Sequence, residues 1–199
     1  DTCAEIGAAS INGITYTAFQ KYDAPCPPEG RAAAVDVLQR LGDKAQELDL
    51  TIGLEVVNRY ETYLLNTAAQ AVAMARDIAS PAINVHLDTY HMNIEESDLE
   101  RAIVDTGSHL GFFHVGESHR GYLGTGSVDF VQTFRGLAKA NYGGPISFES
   151  FSSAKVGQPL LGILGIWRDT WSDGDDLAKH SLDFMRSYIA SALKGQAFS

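Results

Sequence analysis

Ile83-Asn84-Val85-His86-Leu87-Asp88-Thr89 is a largely apolar run that ends on an ionisable residue, and its reading decides the fold. A run of this kind, without a clean polar alternation, is what a parallel strand covered by helices shows. Upstream, residues 66–79 carry a helical pattern that Pro81 stops. Downstream, Ser97 followed by Glu100 reads as a capping box that opens a helix over 97–109. The same alternation extends in both directions. Strands are expected at 13–19, 51–57, 83–89, 111–117 and 145–151, and further helices at 29–49, 129–140 and 175–194. Ser127 can cap the helix that begins near Val128, Gly143-Gly144 ends it, and residues 1–9 read as the end of a helix. Repeated βα units of this kind imply a parallel sheet with right-handed crossovers.

Two architectures accommodate such units. A doubly wound sheet gathers its ligands at one switch point, and no GxGxxG or GxxxxGK[ST] follows any of the strands. A (β/α)8 barrel spreads its site over the C-terminal ends of several strands. Here the polar, chemically loaded residues fall at those ends in four of the five units. The expected fold is therefore an α/β chain of TIM-barrel type, of which about the last five βα units are visible. Residues 1–199 are expected to be the C-terminal part of one barrel domain, preceded in the functional protein by about three further units.

Composition narrows the function classes. The chain has 199 residues, 45% hydrophobic and 20% charged, which excludes wholesale disorder. Its net charge of −10, with no Lys/Arg cluster, argues against a general nucleic-acid binder. The longest uncharged stretch, Val156 to Trp167, is broken by Gly157, Pro159, Gly162 and Gly165, so no membrane association is expected. Cys3 and Cys26 are too few for a disulfide framework and match no zinc spacing. With no secretory-type leader in view, a reducing, cytoplasmic location is expected.

Four residues stand out by position: Glu55 in Leu-Glu-Val-Val-Asn, Asp88 in His-Leu-Asp-Thr, His114 in Phe-His-Val and Glu149 in Phe-Glu-Ser. Each interrupts an otherwise apolar strand, where a carboxylate is costly unless it is paired or binds a metal. Taken singly, each could be a strand-end salt bridge or a core histidine. Taken together, on successive strands, they read as a clustered site. Three carboxylates and one imidazole suit Mn²⁺ or Mg²⁺, with Co²⁺ or Zn²⁺ also compatible. His86, two before Asp88, faces the same side and reads either as a partner of a ligand or as a packed interior histidine.

Longer motifs carry a resemblance. Leu54-Glu55-Val56-Val57-Asn58-Arg59-Tyr60-Glu61, His86-Leu87-Asp88-Thr89-Tyr90-His91-Met92-Asn93-Ile94-Glu95-Glu96, His114-Val115-Gly116-Glu117-Ser118-His119-Arg120-Gly121, Ser147-Phe148-Glu149-Ser150-Phe151 and Ile166-Trp167-Arg168-Asp169 resemble the D-tagatose/D-allulose (psicose) 3-epimerases. These are xylose-isomerase-like barrels, and the likeness runs from about Gly13 to the last helix. His119 departs from the asparagine that members often carry there. The resemblance implies a divalent metal, Mn²⁺ first, on Glu55, Asp88, His114 and Glu149. It implies Glu55 and Glu149 as the acid/base pair, and Glu61, His91 and Arg120 as substrate contacts. The implied activity is C3 epimerisation of a free ketose through an enediolate that the cation stabilises, by a homo-oligomer, dimer or tetramer.

Several alternatives stay open. An aldose–ketose or hydroxypyruvate-type isomerase uses the same metal shell, and a non-catalytic sugar- or metal-binding relative is a reading of another class. Glu61 could simply favour a helix N-terminus, His91 could be a surface loop residue, and Arg120 could pair only with Glu117. The Gly121-x-x-Gly124-x-Gly126-Ser127 loop could cradle a phosphate or be plain loop. Trp167 and Trp171 read as a packed stripe rather than a sugar platform.

Overall fold

Five short strands lie side by side in chain order, and every neighbouring pair is parallel: β1 (Ser10–Gly13), β2 (Thr51–Glu55), β3 (Ile83–Asp88), β4 (Leu110–Val115) and β5 (Ile146–Phe148). The computed structural model describes residues 1–196; the last three positions of the domain expected over 1–199 lie outside the described residues. The helices are α1 (Thr2–Glu5), α2 (Pro28–Glu47), α3 (Ala68–Ile78), α4 (Thr89–Glu95), α5 (Leu99–Thr106), α6 (Phe130–Lys139), α7 (Leu160–Leu164) and α8 (Gly174–Gln196). Sequential strand order means that the sheet never reverses direction, as a doubly wound sheet must. The five strands thus form an arc of the expected barrel. Among the described residues no helix is long and apolar enough to cross a membrane.

The core lies between the sheet and the helices. Leu54, Val85, Leu87, Phe113 and Val115 are fully buried from the strands, against Ala71 and Met74 of α3, Ile103 of α5 and Phe134 of α6. Each large apolar side chain buried this way contributes about 1.5–3 kcal/mol relative to exposure. The opposite faces of β2 and β3 carry Glu55, His86 and Asp88. One strand thus fixes the fold on one face and presents chemistry on the other.

Local signals account for most boundaries, and the differences have physical causes. β1 ends at Gly13 instead of spanning 13–19. Beyond it the chain turns, and Tyr16 is buried beneath β2 with its hydroxyl donating to the Glu55 carbonyl at 2.6 Å. The apolar content of that segment serves packing, not pairing. Helix α5 is capped by Asp98, which accepts from the Arg101 N–H, and not by Ser97. Glu100 instead grips Arg135 and Lys139 of α6. Asp129 caps α6 in place of Ser127, whereas Thr67 and Gln70 form the reciprocal capping box of α3. Asp88 caps α4 by accepting from the Tyr90 N–H at 2.8 Å, so His91 lies in a helix and not in a loop. The Gly- and Pro-broken stretch after residue 156 contains α7.

Candidate active site

The strand C-termini deliver the ionisable residues to one place. Glu55 is the last residue of β2, Asp88 the last of β3, His114 the penultimate residue of β4, and Glu149 follows β5 directly. Asp88 and His114 are register partners, and the Glu149 N–H donates to the Val115 carbonyl, which extends the ladder by one step. One ligand atom from each of Glu55, Asp88, His114 and Glu149 lies within 4.8 Å of the others. His114 Nδ1 is 3.6 Å from Glu55 and 3.9 Å from Glu149. Both distances exceed a hydrogen bond, and this buried nitrogen has no partner.

The charges explain what such a set accepts. Burial pushes Glu149 up to about 7, with the Asp88 and Glu55 charges adding to the effect while Arg120 opposes it. Burial also works against the Asp88 carboxylate, but Arg120, His91 and His114 outweigh it and hold that group at about 2. His114 is raised: burial disfavours its charged form, and Glu55, Glu149 and Asp88 overcome that penalty. Three converging carboxylates favour neutralisation by a proton or a cation. The orphaned His114 nitrogen among them fits a divalent ion with mixed oxygen and nitrogen ligands.

His86 sits beneath this cluster, fully buried, with neither ring nitrogen hydrogen-bonded. Its ring meets Phe112 and His114 edge-on at centroid distances of 5.0 and 4.2 Å. Burial, and then the His114 charge, push it down to about 3, so it packs as a neutral ring 4.0 Å from Glu55. Glu55, His86 and His114 also lie within common ligand reach.

The structure brings Glu61, His91 and Arg120 together around Asp88. Arg120 Nη1 bridges Asp88 at 2.9 Å and Glu149 at 2.7 Å. Its guanidinium lies over the Tyr90 ring, 3.7 Å from the centroid, with Phe151 at 5.3 Å. Its backbone is left-handed, with φ of 61°, and its carbonyl accepts from Ser150 Oγ and the Phe151 N–H. The Arg120 side chain does not reach for Glu117. His91 Nε2 is 3.8 Å from both Glu61 and Asp88 and 3.3 Å from Arg120 Nη2. Glu61 lies at no helix start; it accepts from Asn58 Nδ2 at 2.9 Å, and burial raises its pKa.

Glu117 settles the glycine-loop alternative. Its fully buried carboxylate accepts the N–H groups of Ser118, Gly124 and Val128 at 2.8, 2.9 and 3.3 Å. A Cβ at Gly126 would come within 2.3 Å of that carboxylate, so the turn closes only around glycine. The loop thus cradles an anion of its own. Trp167 is 73% exposed and borders a cavity of about 420 Å³ with Tyr90, His119 and Arg120, so it is no packed stripe.

Sequence reasoning gave no role to Asn58, Tyr90, Phe151 or Tyr16. Asn58 had a signal: a buried asparagine just beyond a strand carrying Glu55 needs polar partners. The aromatic rings that flank Arg120 had none.

A family model for xylose isomerase-like TIM barrels matches residues 1–188. The ketose 3-epimerase of Arthrobacter globiformis is 47% identical over 191 residues, covering 96% of this chain and 66% of that protein. The L-ribulose 3-epimerase of Methylomonas sp. is 46% identical, covering 94% of this chain and 65% of that one. A crystal structure of D-allulose 3-epimerase from Methylomonas sp. in complex with D-allulose superposes with a TM-score of 0.92 at 45% identity, covering 94% of this chain and 65% of that one. The chain therefore spans about two thirds of the length of these relatives.

Proposed function

Because this chain belongs to the xylose isomerase-like TIM barrels, we propose that it epimerises free ketoses at C3, with Glu55 and Glu149 as the two proton carriers. The observation that carries the reading is the convergence of two glutamates from β2 and from just beyond β5, with Asp88 and His114 between them. Glu55, Asp88, His114 and Glu149 would hold a divalent metal, and the oxygen-rich donor set favours Mn²⁺. Bound there, the cation supplies polarisation of the substrate carbonyl, which makes the neighbouring C–H more acidic.

The chain's own groups do the rest. Removing the C3 proton on one face and returning a proton on the other inverts the centre, and one base acting on one face cannot do both. Glu55 ends β2 and Glu149 follows β5, with β3 and β4 between them, which suits approach from two sides. In the ion-free site burial raises Glu149 to about 7, so this carboxylate holds a proton readily until a cation displaces it. Negative charge develops on the carbonyl oxygen as the proton leaves, and the His91 and Arg120 donors steady it. Glu61 accepts a substrate hydroxyl. The working form in this reading is a cytoplasmic homo-oligomer, dimer or tetramer, and light scattering of the purified protein checks the assembly.

The chemical test is exchange in D₂O. D-Fructose, D-tagatose or a pentulose is incubated with the Mn²⁺-loaded enzyme, and deuterium is located by NMR. Label at C3 in a C3-epimeric product is expected. Label at C1 with an aldose product assigns a 1,2-isomerase instead. No label with any sugar leaves a non-catalytic binder.

A further inference from the structure

We infer that Glu55, His86 and His114 form a second, inner cation site, suited to Zn²⁺, which overlaps the four-residue set and competes with it. The outer set in this inference is the metal reading above; the inner one rests on its own geometry. Sheet register brings the three residues together. Glu55 and His86 are partners across β2 and β3, and His114 lies on β4 two positions beyond Phe112, the partner of His86. His86 is fully buried, and neither of its ring nitrogens has a hydrogen-bond partner among the described residues. A buried polar ring left so calls for an explanation, since an apolar ring would pack against Phe112 without that penalty. Its Nδ1 faces Glu55 Oε2 at 4.0 Å, while Glu55 Oε1 is 3.6 Å from the orphaned His114 Nδ1. Ligand atoms about 2.1 Å from one tetrahedral ion stand about 3.4 Å apart, so small side-chain movements close the set.

The two sets differ in donor chemistry. Glu55, Asp88, His114 and Glu149 offer three carboxylates and one imidazole; Glu55, His86 and His114 offer one carboxylate and two imidazoles. Two histidines, one glutamate and an open position make a donor set that Zn²⁺ takes, whereas Mn²⁺ favours oxygen. Zn²⁺ is also the tighter binder of the two at a given nitrogen-bearing site. Because Glu55 and His114 belong to both sets, an ion on one excludes an ion on the other. Asp88 and Glu149 are then left to Arg120, which already bridges them. Zn²⁺ on the inner set therefore blocks the outer one, and epimerisation falls as Zn²⁺ displaces Mn²⁺.

X-ray absorption at the metal edge tests this on the unmodified enzyme, loaded with one equivalent of Zn²⁺ or of Mn²⁺. Two imidazoles around Zn²⁺ and one around Mn²⁺ are expected. One imidazole around Zn²⁺, or the same shell for both ions, overturns the inference. A competition titration checks it independently: Zn²⁺ is added to the Mn²⁺-loaded enzyme, and the released Mn²⁺ is followed by its EPR signal. In His86→Phe, which keeps a ring beside Phe112, the Zn²⁺ needed to displace half of the Mn²⁺ should rise at least about tenfold, since losing even a group that supports a ligand costs about 10–100-fold in metal affinity. The Mn²⁺ dissociation constant should change far less. An equal loss for both ions overturns the inference, because His86 then only supports the shared ligands. Should the variant fail to fold, the Zn²⁺ shell of the wild type decides alone. If Mn²⁺ does not bind while Zn²⁺ shows two imidazoles, the inner site stands and the outer metal assignment fails.

Discussion

The two halves of the site are built on opposite principles. Around Asp88 every strong group has found a partner: Oδ1 takes the Tyr90 N–H, Oδ2 takes Arg120, and His91 leans on Asn58. Around His114 the reverse holds. Its Nδ1 is unpaired, Glu55 and Glu149 stay beyond bonding distance of it, and Glu149 is pushed up by burial. The first half is organised by the chain itself before any ligand arrives. The second is an arrangement of like charges that a cation would relieve. Orientation is thus built into the fold, and reactivity is left to what binds.

The sharpest way to break this contrast is to neutralise the reactive half. Glu55→Gln or Glu149→Gln should each lower epimerisation by about 10²–10⁴-fold, because each removes one of the two proposed proton carriers. Proton exchange at C3 measured in D₂O checks this, and inversion surviving in either variant would end the two-carrier reading. A second probe is the metal itself. Added Mn²⁺ at about a hundred times its dissociation constant should stabilise the wild type by about 2.7 kcal/mol, read as a rise in Tm. His114→Ala should show a smaller rise and lower metal content by elemental analysis. In the self-organised half, Arg120→Lys should keep metal content yet lower kcat/KM by about 10–100-fold. A lysine ammonium cannot reproduce the flat guanidinium that spans Asp88 and Glu149 over the Tyr90 ring.

The smallest effect concerns pH. His86 is held at about 3 in the fold, against an ordinary value of 6.5. As pH falls through 6.5 the unfolded chain takes up a proton that the folded chain refuses, so this stability is complete above 6.5 and lost on acidification. Glu149, raised to about 7, acts in the opposite sense: its contribution is lost as pH rises. The comparison that isolates His86 is therefore wild type against His86→Gln. The stability difference between them should shift against the wild type by about 1 kcal/mol per pH unit between pH 6.5 and 5, measured by denaturant melts.

What could be read in advance divides along the same line. β2, β3 and β4 were legible because their apolar runs pack against helices, and Glu55, Asp88 and His114 were legible as breaks in those runs. β1 was misplaced because Ile14 and Tyr16 look like strand residues while serving to pack against the core beside β2. Asn58 escaped because its contact with His91 depends on that residue lying in the helix that Asp88 caps. A partner fixed through two intervening elements leaves no periodicity to count.

Glu117 extends the lesson to what the site refuses. Turns rich in glycine before a helix commonly bind phosphate, since their N–H groups converge on one point. Here those groups already hold a carboxylate grown from the strand end itself. A phosphorylated sugar seeking that turn would have to evict a tethered rival that never dissociates. The chain fills that anion-binding turn with a group of its own, so the donors are spoken for before any outside anion arrives.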